Sequence, residues 1–334
     1  MIVTVTPNPA LDLTWHVDRI VPGGTHRADT GVARAGGKGL NVARVAHAQG
    51  APVRALATVG GPTGDEFAAE LAASGVPHEL IAVQGATRRS IALVDAHLGD
   101  TTIVNERGLN PAPAEWDALK EAVRRSLDTA PARSGRPVLV LSGSLPPGAP
   151  ADLLPALIGL GREAGAAVIA DTSGPALLSA ADAGATVLKP NAAELAEATG
   201  ILDPVAGACE LLHRGASLVL LSRGAEGMLA VTSDVIVRAR LAEPLAGNPT
   251  GAGDAAVAAC AVLLARGEKD PSVLLRRATA WSAAAVLMPL AGEIHPSWPD
   301  LEAGVLVDSP SLTALHRVPW SARPVPVVPG KDPR

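Results

Sequence analysis

The sequence has 334 residues, 48% hydrophobic but only 2% aromatic, with no Tyr and one Phe, so its core must rest on Ala, Val and Leu in one large α/β domain or two modest ones. A formal net charge of −5 leaves no basic footprint, and scarce aromatic rings remove the stacking platforms that single-stranded nucleic acid needs. Two cysteines, Cys209 and Cys260, and eight scattered His give no disulfide framework or metal-ligand spacing, and no leader or membrane-length run is present, so a cytoplasmic protein without membrane or nucleic-acid partners is expected.

Met1 to Thr6 is apolar and β-branched and stops at Pro7-Asn8-Pro9, which predicts a strand ending in a turn. Asp12 follows, where an acidic residue either hydrogen-bonds a ligand's hydroxyls or simply forms the turn. Leu13 to Val32 holds short β-like pieces with little helical periodicity, the pattern of an appended small sheet. Gly36-Gly37-Lys38-Gly39-Leu40-Asn41 then opens a helix running to about Gln49. A glycine-rich helix start can hold an anion or a polyol. It is no Walker A loop, because Gly39 stands where Ser or Thr is needed, and it lacks GxGxxG spacing.

From Val53 to Val83 strand, helix and strand alternate, a βαβ unit that implies a mainly parallel sheet. Thr87 to Val94 and Thr101 to Val104 predict two short strands around a turn at Leu98-Gly99-Asp100. Arg88 and Arg89 open the first; such a pair is either a solvated edge or a fork for a phosphate. Helices at 113–128 and 150–164 and strands at 137–141, 166–170 and 185–188 continue the rhythm. Three strand ends carry polar clusters: Ser142-Gly143-Ser144, Asp171-Thr172-Ser173-Gly174 and Lys189-Pro190-Asn191. Ligands of open α/β sheets bind outside the carboxyl ends of strands, so the clusters predict one shared crevice. Neither serine sits in a GxSxG elbow. Asn191 and Glu194 fit an N-cap with its capping-box partner, or two groups that hold a hydrated Mg²⁺.

Leu218 to Ser222 predicts another strand, and Arg223 to Gly227 a hairpin turn. The chain then reaches Gly247-Asn248-Pro249-Thr250-Gly251-Ala252-Gly253-Asp254, followed by an Ala/Leu-rich run to Ala265 that predicts a buried helix. A glycine turn there presents unpaired amides and the positive end of the helix dipole, which suits a phosphoryl group. Asp254 is either a plain helix-favouring carboxylate or a base. As a base it takes a proton from a hydroxyl while neighbouring amides stabilise the phosphoryl group under attack. Leu274 to Leu287 predicts a further buried helix, and the Pro-rich tail from Val318 to Arg334 reads as extended or disordered.

Seven collinear stretches, TPNPALDL at 6–13, AGGKGLNVAR at 35–44, SGSLPPG at 142–148, DTSG at 171–174, LKPNAAEL at 188–195, LSRGAEG at 221–227 and NPTGAGDA at 248–255, resemble the PfkB branch of the ribokinase-like carbohydrate kinases. Within that branch the first three are most similar to the 1-phosphofructokinase and tagatose-6-phosphate kinase group. The resemblance implies a ribokinase-like three-layer α/β/α core with a mainly parallel sheet, a small β-sheet lid from about 13–35 and 88–105, and one kinase domain over 1–317. It also implies a homodimer formed through the lid.

The implied activity is ATP- and Mg²⁺-dependent phosphorylation of a ketohexose phosphate, first of all fructose 1-phosphate to fructose 1,6-bisphosphate. Tagatose 6-phosphate, fructose 6-phosphate or another sugar or nucleoside are alternatives, and a non-catalytic sugar-phosphate or nucleotide sensor is the reading outside enzymes. By the resemblance Asp254 is the general base, and Gly251, Ala252 and Gly253 form the anion hole. Asp12, Gly37, Lys38, Asn41 and Ser144 match the sugar site. Arg88 matches the arginine for the substrate phosphate, joined from the lid by Arg27. Lys189, Asn191 and Glu194 match the nucleotide and magnesium end, and Ser222, Gly224, Gly227 and Thr250 the ATP side. Two positions depart from the pattern: Arg223 stands where Leu is more usual, and Thr250 where phosphofructokinase-like members often have Val.

Overall fold

A computed structural model describes residues 1–129 and 135–309; the Pro-rich tail at 318–334 lies outside the described residues. In chain order the elements are β1 Ile2–Thr6, β2 Ala10–Val17, β3 Val32–Gly36, α1 Lys38–Ala48, β4 Val53–Val59, α2 Gly61–Ala73, β5 His78–Ala82, β6 Arg88–Asp95, β7 Asp100–Asn105, α3 Pro113–Asp128, β8 Val138–Ser142, α4 Leu153–Glu163, β9 Ala167–Asp171, α5 Pro175–Asp182, β10 Val187–Leu188, α6 Ala192–Thr199, α7 Pro204–Arg214, β11 Leu218–Ser222, β12 Met228–Val231, β13 Ile236–Arg240, α8 Ala252–Ala265, α9 Pro271–Val286, α10 Trp298–Ala303 and β14 Leu306–Asp308.

Ten strands form one sheet in the order β14-β13-β12-β11-β10-β9-β8-β1-β4-β5. From β11 to β5 every pairing is parallel; β12, β13 and β14 add on antiparallel. Because side chains alternate along a strand, each central strand feeds two cores. Ile2, Val138 and Val140 enter one apolar cluster with α1, α2, α8 and α9. Val3, Val5, Leu139 and Leu141 enter the other with α3, α4, α5 and α7. The expected three layers follow. Helix α8 is buried from Asp254 through Leu264, as a helix apolar on every side must be.

The parallel strands β1, β8, β9, β10 and β11 end at one edge, so Asn8, Ser144, Asp171, Lys189 and Ser222 gather there. A separate four-stranded sheet, order β3-β2-β6-β7, supplies residues to the same place. Its register sets Asp12 of β2 directly between Arg34 of β3 and Ser90 of β6.

Several elements depart from the sequence expectation. Of the stretch from Leu13 to Val32 read as β-like pieces, 13–17 belongs to β2 and Val32 opens β3, whereas 18–31 forms a largely exposed connection. Helix α9 starts at Pro271 rather than Leu274, because Asp270 caps it, accepting from Ser272 N at 2.8 Å, with Pro in the first turn. The hairpin at Arg223 to Gly227 is present, with β11 and β12 antiparallel across it.

Candidate active site

A cavity of about 870 Å³ opens between the carboxyl edge of the large sheet and the small sheet. Every residue assigned to the site by resemblance lines it except Arg27; Arg89, paired with Arg88 in the sequence reading, does not line it either. Arg27 is exposed, on the connection from Val17 to Val32. That connection leaves the far end of β2, whereas Asp12 at the near end is the residue that reaches the cavity, so the expectation that Arg27 joins the site is not met within one chain.

The start of α8 forms the floor. Gly251 caps the helix at φ 84°, a left-handed conformation that favours glycine. A methyl added there would come within 2.8 Å of Ala291. Ala252 N donates to Pro249 O at 3.2 Å and Ala255 N to Gly251 O at 2.9 Å. The N–H groups of Gly251, Gly253 and Asp254 have no acceptor among the described residues. Of the three residues expected to form the anion hole, Ala252 is thus turned away, and Asp254's own amide joins the other two. These donors sit at the positive end of a helix, where an anion is stabilised.

Asp254 is 5% exposed, and its Oδ2 accepts from Asn41 Nδ2 at 2.8 Å. Asn41, expected at the sugar, therefore orients the carboxylate. Burial, with the nearby Asp171 carboxylate second, raises Asp254 to about 7, while Asn41, Lys38 and Lys189 pull it down. A carboxylate tuned close to neutral pH is matched to general-base work.

Two lysines flank this floor. Lys38 Nζ lies 3.4 Å from Asp171 Oδ2, and Lys189 Nζ lies 3.2 Å from Asp171 Oδ1. Burial would push the Asp171 carboxyl up, but Lys189 and Lys38 outweigh it and hold it below the usual carboxylate range. Asp171 in turn raises Lys38. Lys189 is buried, and a methyl added at Gly253 would lie 3.2 Å from its Nζ. It thus stands beside the floor.

At the small sheet, Arg88 Nε donates to Asn8 O at 3.2 Å and Nη1 to Glu106 O at 3.1 Å. Two backbone carbonyls thereby fix the guanidinium, and Nη2 remains for a ligand anion. Asn8 Nδ2 also donates to Ser144 Oγ at 3.2 Å, tying β6 to the end of β8. Asp12 is raised to about 6 by burial, opposed by Arg88 and Arg34. Its carboxylate lies over Gly36, where an added methyl would fall 1.8 Å from Oδ2. Only hydrogen leaves it room.

At the opposite end, Ser222, Gly224, Gly227 and Thr250 face an apolar wall of Met228, Leu241, Leu245 and Val286, a surface suited to a flat base. Asn191 Oδ1 accepts from Glu194 N and Glu194 Oε2 from Asn191 N, each at 2.8 Å. The capping-box reading of this pair is therefore realised. Both side chains still line the cavity. Among the described residues no cluster of three or more His, Cys, Asp or Glu could cage a metal. One carboxylate edge at Glu194 suits a cation that keeps most of its water, as Mg²⁺ does. Arg223 pairs with Glu226 over a smaller pocket of about 230 Å³ beside Asn191 and Ser222.

Asp171 and Asn8 stand out in the sequence only as members of the DTSG and TPNPALDL stretches, with no role attached to either, and Ser90 not at all. The apolar wall has no sequence signal, because its Leu and Val residues read as core.

A sequence model of the pfkB family carbohydrate kinases matches residues 6–298. A 1-phosphofructokinase of Xanthomonas campestris pv. campestris is 38% identical over 291 residues, covering 84% of this chain and 89% of that protein. Among solved structures, phosphofructokinase-2 from Escherichia coli in complex with fructose-6-phosphate aligns with a TM-score of 0.80 at 29% identity, covering 90% of this chain and 98% of that one. A tetrameric inhibited form of the same enzyme aligns with a TM-score of 0.81. Ribokinase from Thermotoga maritima shares the fold, with a TM-score of 0.70 at 24% identity over 91% of this chain and 98% of that one.

Proposed function

Because the chain belongs to the pfkB family of carbohydrate kinases, we propose that it is an ATP-dependent kinase that converts fructose 1-phosphate to fructose 1,6-bisphosphate in the cytoplasm. The substrate assignment is supported by likeness to the Xanthomonas campestris 1-phosphofructokinase. It is supported too by Arg88 in the cavity wall, whose Nε and Nη1 are taken by backbone carbonyls while Nη2 remains for a substrate phosphate. The observation that carries the reading is Asp254, held by Asn41 beside the unpaired amides of Gly251, Gly253 and Asp254.

In this mechanism Asp254 accepts the proton of the sugar hydroxyl as its oxygen bonds to the γ-phosphorus and the bond to the β–γ bridging oxygen breaks. The products are the phosphorylated sugar and ADP, and the proton passes to water. Amide donors at the floor, with Lys38 and Lys189, balance the charge on the transferring group, the main demand of a loose transition state. Arg88 and Asp12 hold the sugar phosphate so that its hydroxyl meets Asp254. Bound Mg²⁺ would neutralise the nucleotide phosphates, with Glu194 and Asn191 holding it through water. Four apolar residues exposed on the small sheet and its turn, Val32, Leu98, Ile103 and Val104, suit a homodimer in which that sheet is both lid and contact surface.

The test is ADP release with ATP, Mg²⁺ and a panel of fructose 1-phosphate, fructose 6-phosphate, tagatose 6-phosphate and free sugars. Fructose 1-phosphate is expected to give the highest kcat/KM. Asp254→Asn is expected to lose about 10²- to 10⁴-fold in kcat with an unchanged circular dichroism spectrum. Wild-type turnover by that variant rejects the base; no ADP release with any sugar rejects the kinase.

A further inference from the structure

The connection from α9 to α10 runs along the whole phosphoryl-transfer floor. At its start Asn248 N donates to Val286 O at 2.9 Å, and Asn248 Nδ2 donates to Pro289 O at 3.0 Å. Its middle, at Ala291, abuts Gly251. Gly292 rests on α1, where an added methyl would come within 3.1 Å of both Asn41 Oδ1 and Arg44 Cδ. One residue later the connection reaches the small sheet. Glu293 Oε1 pairs with Arg34 Nη2 at 3.0 Å.

Arg34 is no peripheral residue of that sheet. It stands opposite Asp12 in register, so both side chains project from one face, within the distance at which cross-strand neighbours interact. Its other terminal nitrogen, Nη1, is buried without a hydrogen-bond acceptor, a donor left over for a second partner. The base of β3 is pinned separately. Glu70 Oε2 accepts from Ala35 N at 2.9 Å and from Arg44 Nη2 at 2.6 Å. Among the described residues, Arg34–Glu293 is the one ion pair joining the small sheet to the α9–α10 connection.

We propose that Arg34 and Glu293 are positioning residues that set the height of Asp12 and the small sheet above the Gly251–Asp254 turn. The pair thereby couples occupation of the sugar end to alignment of the transferring group. Two contacts in series make the link: Glu293 fixes Arg34 beside Asp12, and the two preceding residues bear directly on Gly251 and Asn41. Asn41 holds Asp254, so an offset at Glu293 reaches the base. Misplacement of reacting atoms on this scale is costly to phosphoryl transfer. With side chains 16% and 37% exposed, the pair is partly buried, so a single Gln substitution, which is no larger than either side chain, should lower the melting temperature while leaving the fold intact.

This inference rests on the kinase reading, and its test separates the two. Glu293→Gln, Arg34→Gln and the double variant are compared with the full chain for kcat, for the KM of fructose 1-phosphate and for ADP formed per sugar bisphosphate. Each single variant is expected to lose about threefold to tenfold in kcat, the range for coupled neighbours. ADP formed without sugar phosphorylation should rise, in protein with an unchanged circular dichroism spectrum. Glu293→Asp should recover most of the loss, and the double variant should be no worse than Arg34→Gln. Wild-type kcat and ADP-to-product ratio in both singles, or losses that add in full in the double variant, overturn the proposal. A wild-type chain that phosphorylates no sugar overturns the kinase reading instead.

Discussion

Burial that raises Asp254 to about 7 makes it a proton acceptor at neutral pH and a burden on folding in the same pH range. For catalysis the ionised form is required, so kcat/KM should fall on the acid side with an apparent pKa near 7, measured by steady-state kinetics between pH 5 and 9. For stability the sign is opposite. A carboxyl raised from 3.8 to about 7 in the folded state favours folding fully below 3.8, and that contribution is lost as pH rises towards 7. Asp254→Asn cannot ionise. Its melting temperature should exceed wild type most at pH 8, and the gap should close towards pH 4; a gap independent of pH would contradict the burial account. Asp254 was legible because its glycine turn and helix are contiguous in the chain. Asp171 was not, because its partners Lys38 and Lys189 arrive from other strands and helices, and no spacing announces them. Arg27 lies away from the cavity of its own chain, and the sequence gives no sign of which end of a strand its loop leaves.

At the scale of elements, the Asn191–Glu194 capping box shows how one helix start can serve two ends. Each side chain satisfies one amide that α6 would otherwise leave open. Asn191→Ala should therefore cost about 1 kcal/mol of unfolding free energy, read from the urea midpoint. If Asn191 also touches Mg²⁺ through water, the same variant should raise the KM for the Mg²⁺–ATP complex, and an unchanged KM would confine it to capping. Strongly periodic pieces such as α3 and β8 matched the sequence reading closely. Helix α5, eight residues long, and the three-residue β14 did not show, because segments that short carry too little periodicity to separate them from turns.

At the scale of the whole molecule, the βαβ rhythm implied a mainly parallel sheet, whereas the three layers and the placement of the small sheet as a lid were implied only by family resemblance. The small sheet carries exposed Val32, Ile103 and Val104, at 52%, 49% and 56%. If a second copy covers them, Ile103→Asp should halve the mass seen by light scattering and raise the KM for the sugar phosphate; an unchanged mass would place the contact elsewhere.

Helix α8 has no side open to water, and that enclosure decides where motion can occur during turnover. Its hydrogen-bonded amides from Ala255 onward should exchange with deuterium only when the entire chain opens, while those of β7, exposed along its whole length, should exchange within the folded protein. On the proposed mechanism the carboxylate is carried by the most enclosed helix of the molecule, and substrate entry and product exit fall to the thin cover above it.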